Sequence, residues 1–246
     1  MALKFRWLGL LFLVTVFVYL LFNPSPLESF LEYLFPAESA HIYGRVAPPV
    51  LVRQHLEMVF LSSLLAVIIG FSLGVYVTRY RGRDFLPAVN DLVSLAQTFP
   101  PVAVLALAVP ILGFGFRPTI LALLLYSILP VVRNTIAGFE GVSEEIKEAA
   151  RGMGMNRKQL FWSVELPLAS RIIMAGIRIS VIINIGTATA GSIIGAGGLG
   201  VPIVAGLVWN NPSFVLAGAI KAAFLALIFD QFLALVDKTF LGRYYG

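Results

Sequence analysis

Glu148-Ala149-Ala150-Arg151-Gly152-Met153-Gly154, followed by Val164-Glu165-Leu166-Pro167, is a charged, helix-forming insert between two long apolar stretches of the chain. Charged side chains are costly in hydrocarbon, so this insert lies outside the lipid and offers its surface to something else. The flanks set the fold class. Of the 246 residues 59% are hydrophobic and 13% charged, a balance that belongs to membrane proteins rather than soluble domains. Several windows reach the roughly 17 to 25 apolar residues that cross a hydrocarbon core of about 30 Å. The expected architecture is all-α and polytopic, with about six transmembrane helices.

Six spans are expected. The first runs from Trp7 to Phe22 behind Lys4 and Arg6, and ends in Asn23-Pro24-Ser25-Pro26 without a small-x-small cleavage site, which favours an uncleaved anchor over a signal peptide. The second runs from Leu56 to Val77 and stops at Arg79, Arg81 and Arg83. The third, Leu86 to Leu112, is too long for one straight crossing and is broken at Pro100-Pro101, with a further proline at Pro110. Proline removes a backbone donor and pushes the preceding residue out of helical geometry, so this stretch must bend. The remaining spans are Thr119 to Val132, Ala169 to Ile194 and Phe214 to Val236. Residues 1–55 then form an anchor and outer loop, and 56–246 a transmembrane core.

Orientation follows from the Lys and Arg residues in the connections. With the N-terminus in the cytoplasm, the inner side receives Lys4, Arg6, Arg79, Arg81, Arg83, Arg133, Lys147, Arg151, Arg157, Lys158, Arg171, Lys238 and Arg243, and the outer side keeps Arg45, Arg53 and Arg117. Both termini and the Glu148 insert are expected in the cytoplasm, and residues 23–55 in the large outer loop. There is no cysteine, which excludes disulfides and thiolate metal sites. The two histidines, His41 and His55, are far from any carboxylate-rich cluster and read as surface or interface residues.

Within the insert, Ser143 is placed to cap a helix whose first turn carries Glu144 and Glu145, favoured there by the helix dipole. Ile146, Ala149, Ala150 and Met153 fall at i, i+3, i+4 and i+7 on one face, and Gly154 suits the left-handed residue that ends such a helix. Asn156 followed by Gln159 has the form of a capping box opening a second short helix, with Leu160, Phe161 and Val164, that stops before Pro167. Ala149 and Ala150 allow either a partner or this chain's own helices to approach closely, and Glu148 can fix a partner's orientation by charge.

The spacing of the insert is Glu-Ala-Ala, three residues, Gly154, nine residues, a branched aliphatic residue, one residue, then Leu166 and Pro167. It resembles the cytoplasmic signature of the membrane subunits of binding-protein-dependent ABC importers. The resemblance implies a type I, MetI-like permease core and a docking role for Glu148, Ala149, Ala150, Gly154, Leu166 and Pro167, with coupling helices at about 143–167. It also implies separate cytoplasmic ATPase subunits, a second permease subunit, identical or homologous, an external solute-binding protein, and alternating access in a prokaryotic inner membrane. Such a subunit is not an enzyme and needs no cofactor, metal or nucleic acid. Further segments, Gln97-Thr98-Phe99-Pro100-Pro101, Arg133-Asn134-Thr135 and Gly195-Ala196-Gly197-Gly198-Leu199-Gly200, are similar to permeases for osmoprotectants such as glycine betaine, choline and related quaternary amines. Amino acids are the alternative cargo, and an ATP-independent secondary transporter or a membrane scaffold are the alternative classes.

Gly195, Gly197 and Gly200 satisfy the dinucleotide-binding pattern, but that reading requires a strand before and a helix after in a βαβ unit, whereas here the run ends an apolar helix and precedes Pro202. A tight turn is expected. No phosphate-binding loop of the G-x-x-x-x-G-K-[ST] form occurs, so energy must come from a partner. Polar residues within apolar spans face protein or water. Gln97, Thr98, Phe99 and Pro100 at the break, with Asn184, Thr187, Thr189 and Ser192 along the fifth span, are therefore candidates for the pathway, helix-to-helix hydrogen bonding being the competing role. Quaternary ammonium ions are recognised through aromatic faces, and Phe99 is the aromatic residue at the break, so the permease is expected to offer only a weak transit site. Arg178, Asp230 and Asp91 all fall about 10 to 12 Å inside the cytoplasmic edge, and Arg178 is expected to pair with Asp230 or Asp91.

Overall fold

The structure, a computed structural model, describes residues 2–96 and 98–241. Gln97 and Arg243 lie outside the described residues. No strand occurs among those described. The helices are α1 (Ala2–Phe22), α2 (Ser25–Leu34), α3 (Pro48–Val77), α4 (Leu86–Ala96), α5 (Pro101–Leu112), α6 (Phe116–Glu140), α7 (Glu144–Gly152), α8 (Arg157–Leu160), α9 (Leu166–Ala188), α10 (Gly200–Val208) and α11 (Pro212–Val236). Among the described residues five helical stretches are long and apolar enough to cross a membrane: Lys4–Phe22, Pro48–Val77, Phe116–Glu140, Arg157–Ile194 and Pro212–Thr239.

The expected third crossing is divided. α4 ends at Ala96 and α5 starts at Pro101, with Pro100 in extended geometry at ψ 140°, as the Pro-Pro pair requires. Pro110 stays inside α5, so of the two breakers only the pair interrupts the helix. The second span starts at Pro48 rather than Leu56. Pro48 and Pro49 occupy the first turn of α3, where the missing N–H groups have no intrahelical acceptor in any case. At 30 residues, α3 is about 45 Å long, well beyond the thickness of the lipid core.

The chain forms two compact units. One comprises residues 1–62, 99–123 and 182–232. Within it Leu27 and Leu31, one turn apart on α2, pack with Ala217 of α11 and with Leu20, Phe35 and Ile42, and Phe17 stacks on Phe224. The segment after α2 is pinned although no motif marks it. Asn211 Nδ2 donates to the Ala40 carbonyl at 2.9 Å, Ser213 Oγ to the His41 carbonyl at 3.1 Å, and Arg45 lies over the Trp209 ring.

The other unit comprises residues 63–98, 124–181 and 233–246. Val77, Val93, Leu129, Val132 and Ile136 join α3, α4 and α6 in one apolar cluster. Phe139, Val142, Ala169 and Ile173 join α6 to α9 in a second, against which Phe71, Val75 and Phe161 pack. Small residues set these crossings: a Cβ on Gly74 would lie 2.6 Å from Thr135 Cβ, and one on Gly176 2.5 Å from Asn134 Cβ. In lipid, such close approach replaces the hydrophobic drive as the source of helix association.

Candidate coupling insert and pathway residues

The insert is two short helices joined by a tight turn, built as its local sequence dictates. α7 ends in a paired backbone motif: Gly154 N–H donates to the Arg151 carbonyl at 2.9 Å and Met155 N–H to the Ala150 carbonyl at 3.2 Å. This closure needs a left-handed residue, and Gly154 has φ +84° with open space where a Cβ would be. Conformation alone demands glycine there. The Asn156 side chain accepts from the Lys158 and Gln159 N–H groups at 3.0 Å each, while Gln159 Oε1 accepts from Asn156 N–H at 2.9 Å, completing the capping box.

Two expectations about the insert need correction. Ser143 sits at the cap position with ψ 138°, but its hydroxyl donates to Glu145 Oε2 at 2.9 Å instead of accepting from the backbone. The neighbouring carboxylate outcompetes an amide as partner because the bond is charge-assisted. The second helix also does not stop before Pro167. α8 continues through a π-helical stretch, Phe161–Glu165, directly into α9. A π turn bonds i to i+5 and leaves a gap in the α-helical ladder, so the N–H that Pro167 lacks falls where the register changes.

The face expected from spacing divides in two. Ala150 is buried, whereas Ile146, Ala149 and Met153 are exposed, as are Glu148 and Trp162. Met153, at 73% exposure, shows how little of this strip the chain itself covers. Hydrogen bonds from Arg151 (2.8 Å) and Lys147 (3.3 Å) hold the Glu144 carboxyl below its usual range and brace α7 from one side.

At the base of the insert lies a group to which no motif points. Glu165, 6% exposed, accepts from Arg79 Nη1 at 2.6 Å. The Arg79 guanidinium lies 4.8 Å from the Phe139 ring centroid and 5.0 Å from that of Phe161, and these two rings stack at 5.6 Å. A cation over aromatic faces gains attraction that grows as water is excluded. The pair borders an open pocket of about 460 Å³ lined also by Arg83, Glu140, Glu144 and Lys147. Arg79 is legible in sequence only as an inner-side charge, and Glu165 only as a spacer within Val164-Glu165-Leu166-Pro167.

The glycine run is the expected turn. Gly195, Gly197 and Gly198 all have positive φ, and the Gly197 Cα abuts the Gln54 side chain so closely that any Cβ would collide with it. Gln54 Oε1 accepts from Gly198 N–H at 3.1 Å, and His55 Nδ1 from Leu199 N–H at 3.3 Å. His55 Nε2 lies 3.0 Å from the Ile185 carbonyl. Both contacts are satisfied together by the neutral tautomer with its proton on Nε2. His55 is fully buried, not a surface residue: polarity misleads here because its partners are backbone groups 130 and 144 positions away.

The remaining candidates have these settings. Thr98 is exposed and donates to the Leu95 carbonyl, and Phe99 is 51% exposed. Asn184 is fully buried, its Nδ2 donating to Ser62 Oγ at 3.0 Å. Thr187 is half-buried; Thr189 and Ser192 donate to the Gly186 and Gly197 carbonyls at 2.7 Å each. Gly191 packs on Thr119, 2.5 Å from its Cγ2 to a would-be Cβ. Arg178 and Asp230 are half-buried, on α9 and α11, and Asp91 is exposed on α4. Lys221 on α11 is a buried lysine, 6% exposed, that no sequence motif marks. Among the described residues no group of three His, Asp or Glu side chains could hold a metal ion.

Apolar helices long enough to cross a membrane, with a capped two-helix insert that leaves an apolar strip uncovered, define a membrane protein that offers a surface outside the lipid. Residues 54–241 match the family described as binding-protein-dependent transport system inner membrane component, and the chain belongs to that family. It is 42% identical over 185 residues to the glycine betaine/carnitine/choline transport system permease protein OpuCB of Bacillus subtilis, covering 75% of this chain and 84% of that one. To the osmoprotectant import permease protein OsmY of Salmonella typhimurium it is 41% identical over 182 residues, 74% of this chain and 77% of the other. The fold matches that of a chain of the inward-facing MetNI methionine ABC transporter with a TM-score of 0.63 at 23% identity, covering 78% of this chain and 94% of that one. The chain is therefore a multi-pass inner-membrane permease subunit of the ABC importer type, with an all-α, MetI-like core, in a family whose members are non-catalytic.

Proposed function

We propose that this permease carries osmoprotectants such as glycine betaine, choline or related quaternary amines inward, driven by separate cytoplasmic ATPase subunits. The likeness in sequence to permeases whose names specify these solutes supports the cargo. The observation that carries the mechanism is the insert: α7 and α8 are locked by their caps yet leave Ile146, Ala149 and Met153 uncovered. A rigid element that exposes an apolar strip is built for a partner, since it binds without first ordering itself.

In this reading Glu148, Ala149, Ala150, Gly154, Leu166 and Pro167 form the ATPase-docking element, facing the cytoplasm together with both termini. An external binding protein delivers the solute, a second permease subunit completes the pathway, and ATP-driven movement of the docked helices alternates access. Phe99 and Pro100 at the helix break, with Thr187, Thr189 and Ser192, contribute to a weak transit site, selectivity residing in the binding protein. Glu148→Arg tests the docking role. The variant inserts normally but fails to retain the ATPase in a pull-down and loses uptake, and normal recovery with unchanged uptake would remove the assignment.

A further inference from the structure

We propose that Arg79 and Glu165 are positioning residues that carry the movement of the docked insert into α3, so that ATP hydrolysis and solute passage stay linked. The inference rests on the docking reading above. It begins from connectivity. The insert is joined covalently to α6 through residues 141–143 and to α9 through the π-helical stretch, but α3 lies far back in the chain. Its motion reaches α3 only through side chains.

Arg79, in the turn just beyond α3, makes that connection twice over. Its Nη1 donates to Glu165 at 2.6 Å, and its guanidinium lies over Phe161 as well as over Phe139 of α6. Phe161 and Glu165 are the first and last residues of the same π-helical stretch. One arginine therefore grips both ends of the segment through which the insert enters α9, while touching the end of α6. Glu165 is 6% exposed, so water compensates poorly for the loss of Arg79. An ion pair that loses one member in such a place strands the other, which makes the link stiff rather than compliant.

Geometry also explains why the link sits on a π turn. Wider i to i+5 turns occur where a helix changes register, often at functional sites. A return to α-helical geometry would rotate Glu165 away from Arg79 by part of a turn. The pair thus holds the register in which the insert and α3 move together.

The test uses the full transporter, with its ATPase and binding protein, in proteoliposomes. It reads solute taken up per ATP hydrolysed, alongside recovery of the ATPase with the permease. Arg79→Gln and Glu165→Gln each retain the ATPase and keep hydrolysing ATP, but uptake per ATP falls at least about tenfold. Arg79→Lys, which keeps the charge but loses the planar fork, shows an intermediate loss. The double variant is no worse than either single, because the two residues act as one unit. A merely structural role would lower uptake and hydrolysis together and leave their ratio unchanged. An unchanged ratio, losses that multiply in the double variant, or loss of the ATPase from either single variant would each overturn the inference. Failure of the docking reading shows itself separately, as a wild-type permease that does not retain the ATPase.

Discussion

Gly154→Ala is the cleanest probe of the insert, because its effect comes from one backbone angle. Gly154 has φ +84°, and a Cβ there meets nothing within 4 Å, so the substitution introduces strain without a clash. Placing an L-residue in the left-handed region costs about 1–2 kcal/mol. The free insert escapes that strain by opening the turn, giving up the Gly154 and Met155 hydrogen bonds that close α7, whereas the docked insert cannot. The penalty on binding is the strain less the cost of opening, and at 1.4 kcal/mol per tenfold change it weakens ATPase affinity by up to about 30-fold. Gly152→Ala is the internal control: it too has open space around it and lies at the end of α7, where alanine is favoured over glycine by up to about 1 kcal/mol. The assay is a titration of purified ATPase onto the permease in nanodiscs. Equal affinity for wild type and Gly154→Ala, or an equal loss for Gly152→Ala, would refute the claim that a preformed turn is what the partner reads.

His55→Phe leaves the buried Ile185 carbonyl and Leu199 N–H without their side-chain partner, at about 1–3 kcal/mol for each group. The melting temperature in detergent should fall by roughly 5–15 °C, and a value unchanged from wild type would show that the clasp on the glycine turn carries no load. Because the chain lacks cysteine, orientation can be read directly. A cysteine replacing Glu38 should react with an impermeant thiol reagent added outside and one replacing Lys158 should not, and outside labelling at Lys158 would reverse the topology and with it the docking face.

Features set by neighbours in sequence were legible before the structure. The glycine closure at Gly154, the Asn156–Gln159 box and the break at Pro100-Pro101 each depend on a handful of adjacent residues, and each forms as the local chemistry requires. Long-range pairings were not. Arg79 and Glu165 are 86 positions apart, and His55 finds Leu199 across 144; no local pattern reports such separations. Ser143 shows a subtler limit. Its position outside α7 follows from the sequence, but which acceptor its hydroxyl takes depends on the Glu145 rotamer. Pro167 reads as a stop signal because proline breaks α-helices, yet the chain continues through it directly after the π-helical stretch Phe161–Glu165.

The central claim is that this permease moves quaternary-amine osmoprotectants using ATP hydrolysed by a partner docked on the Glu148 insert. The most direct measurement is uptake of labelled glycine betaine, choline and carnitine, with an amino-acid panel alongside, into proteoliposomes holding the permease and its ATPase, with loaded binding protein outside. Uptake of at least one quaternary amine that requires internal ATP, requires the binding protein and disappears with Glu148→Arg is the predicted result. Uptake that persists without the ATPase, or that is confined to amino acids, would contradict it.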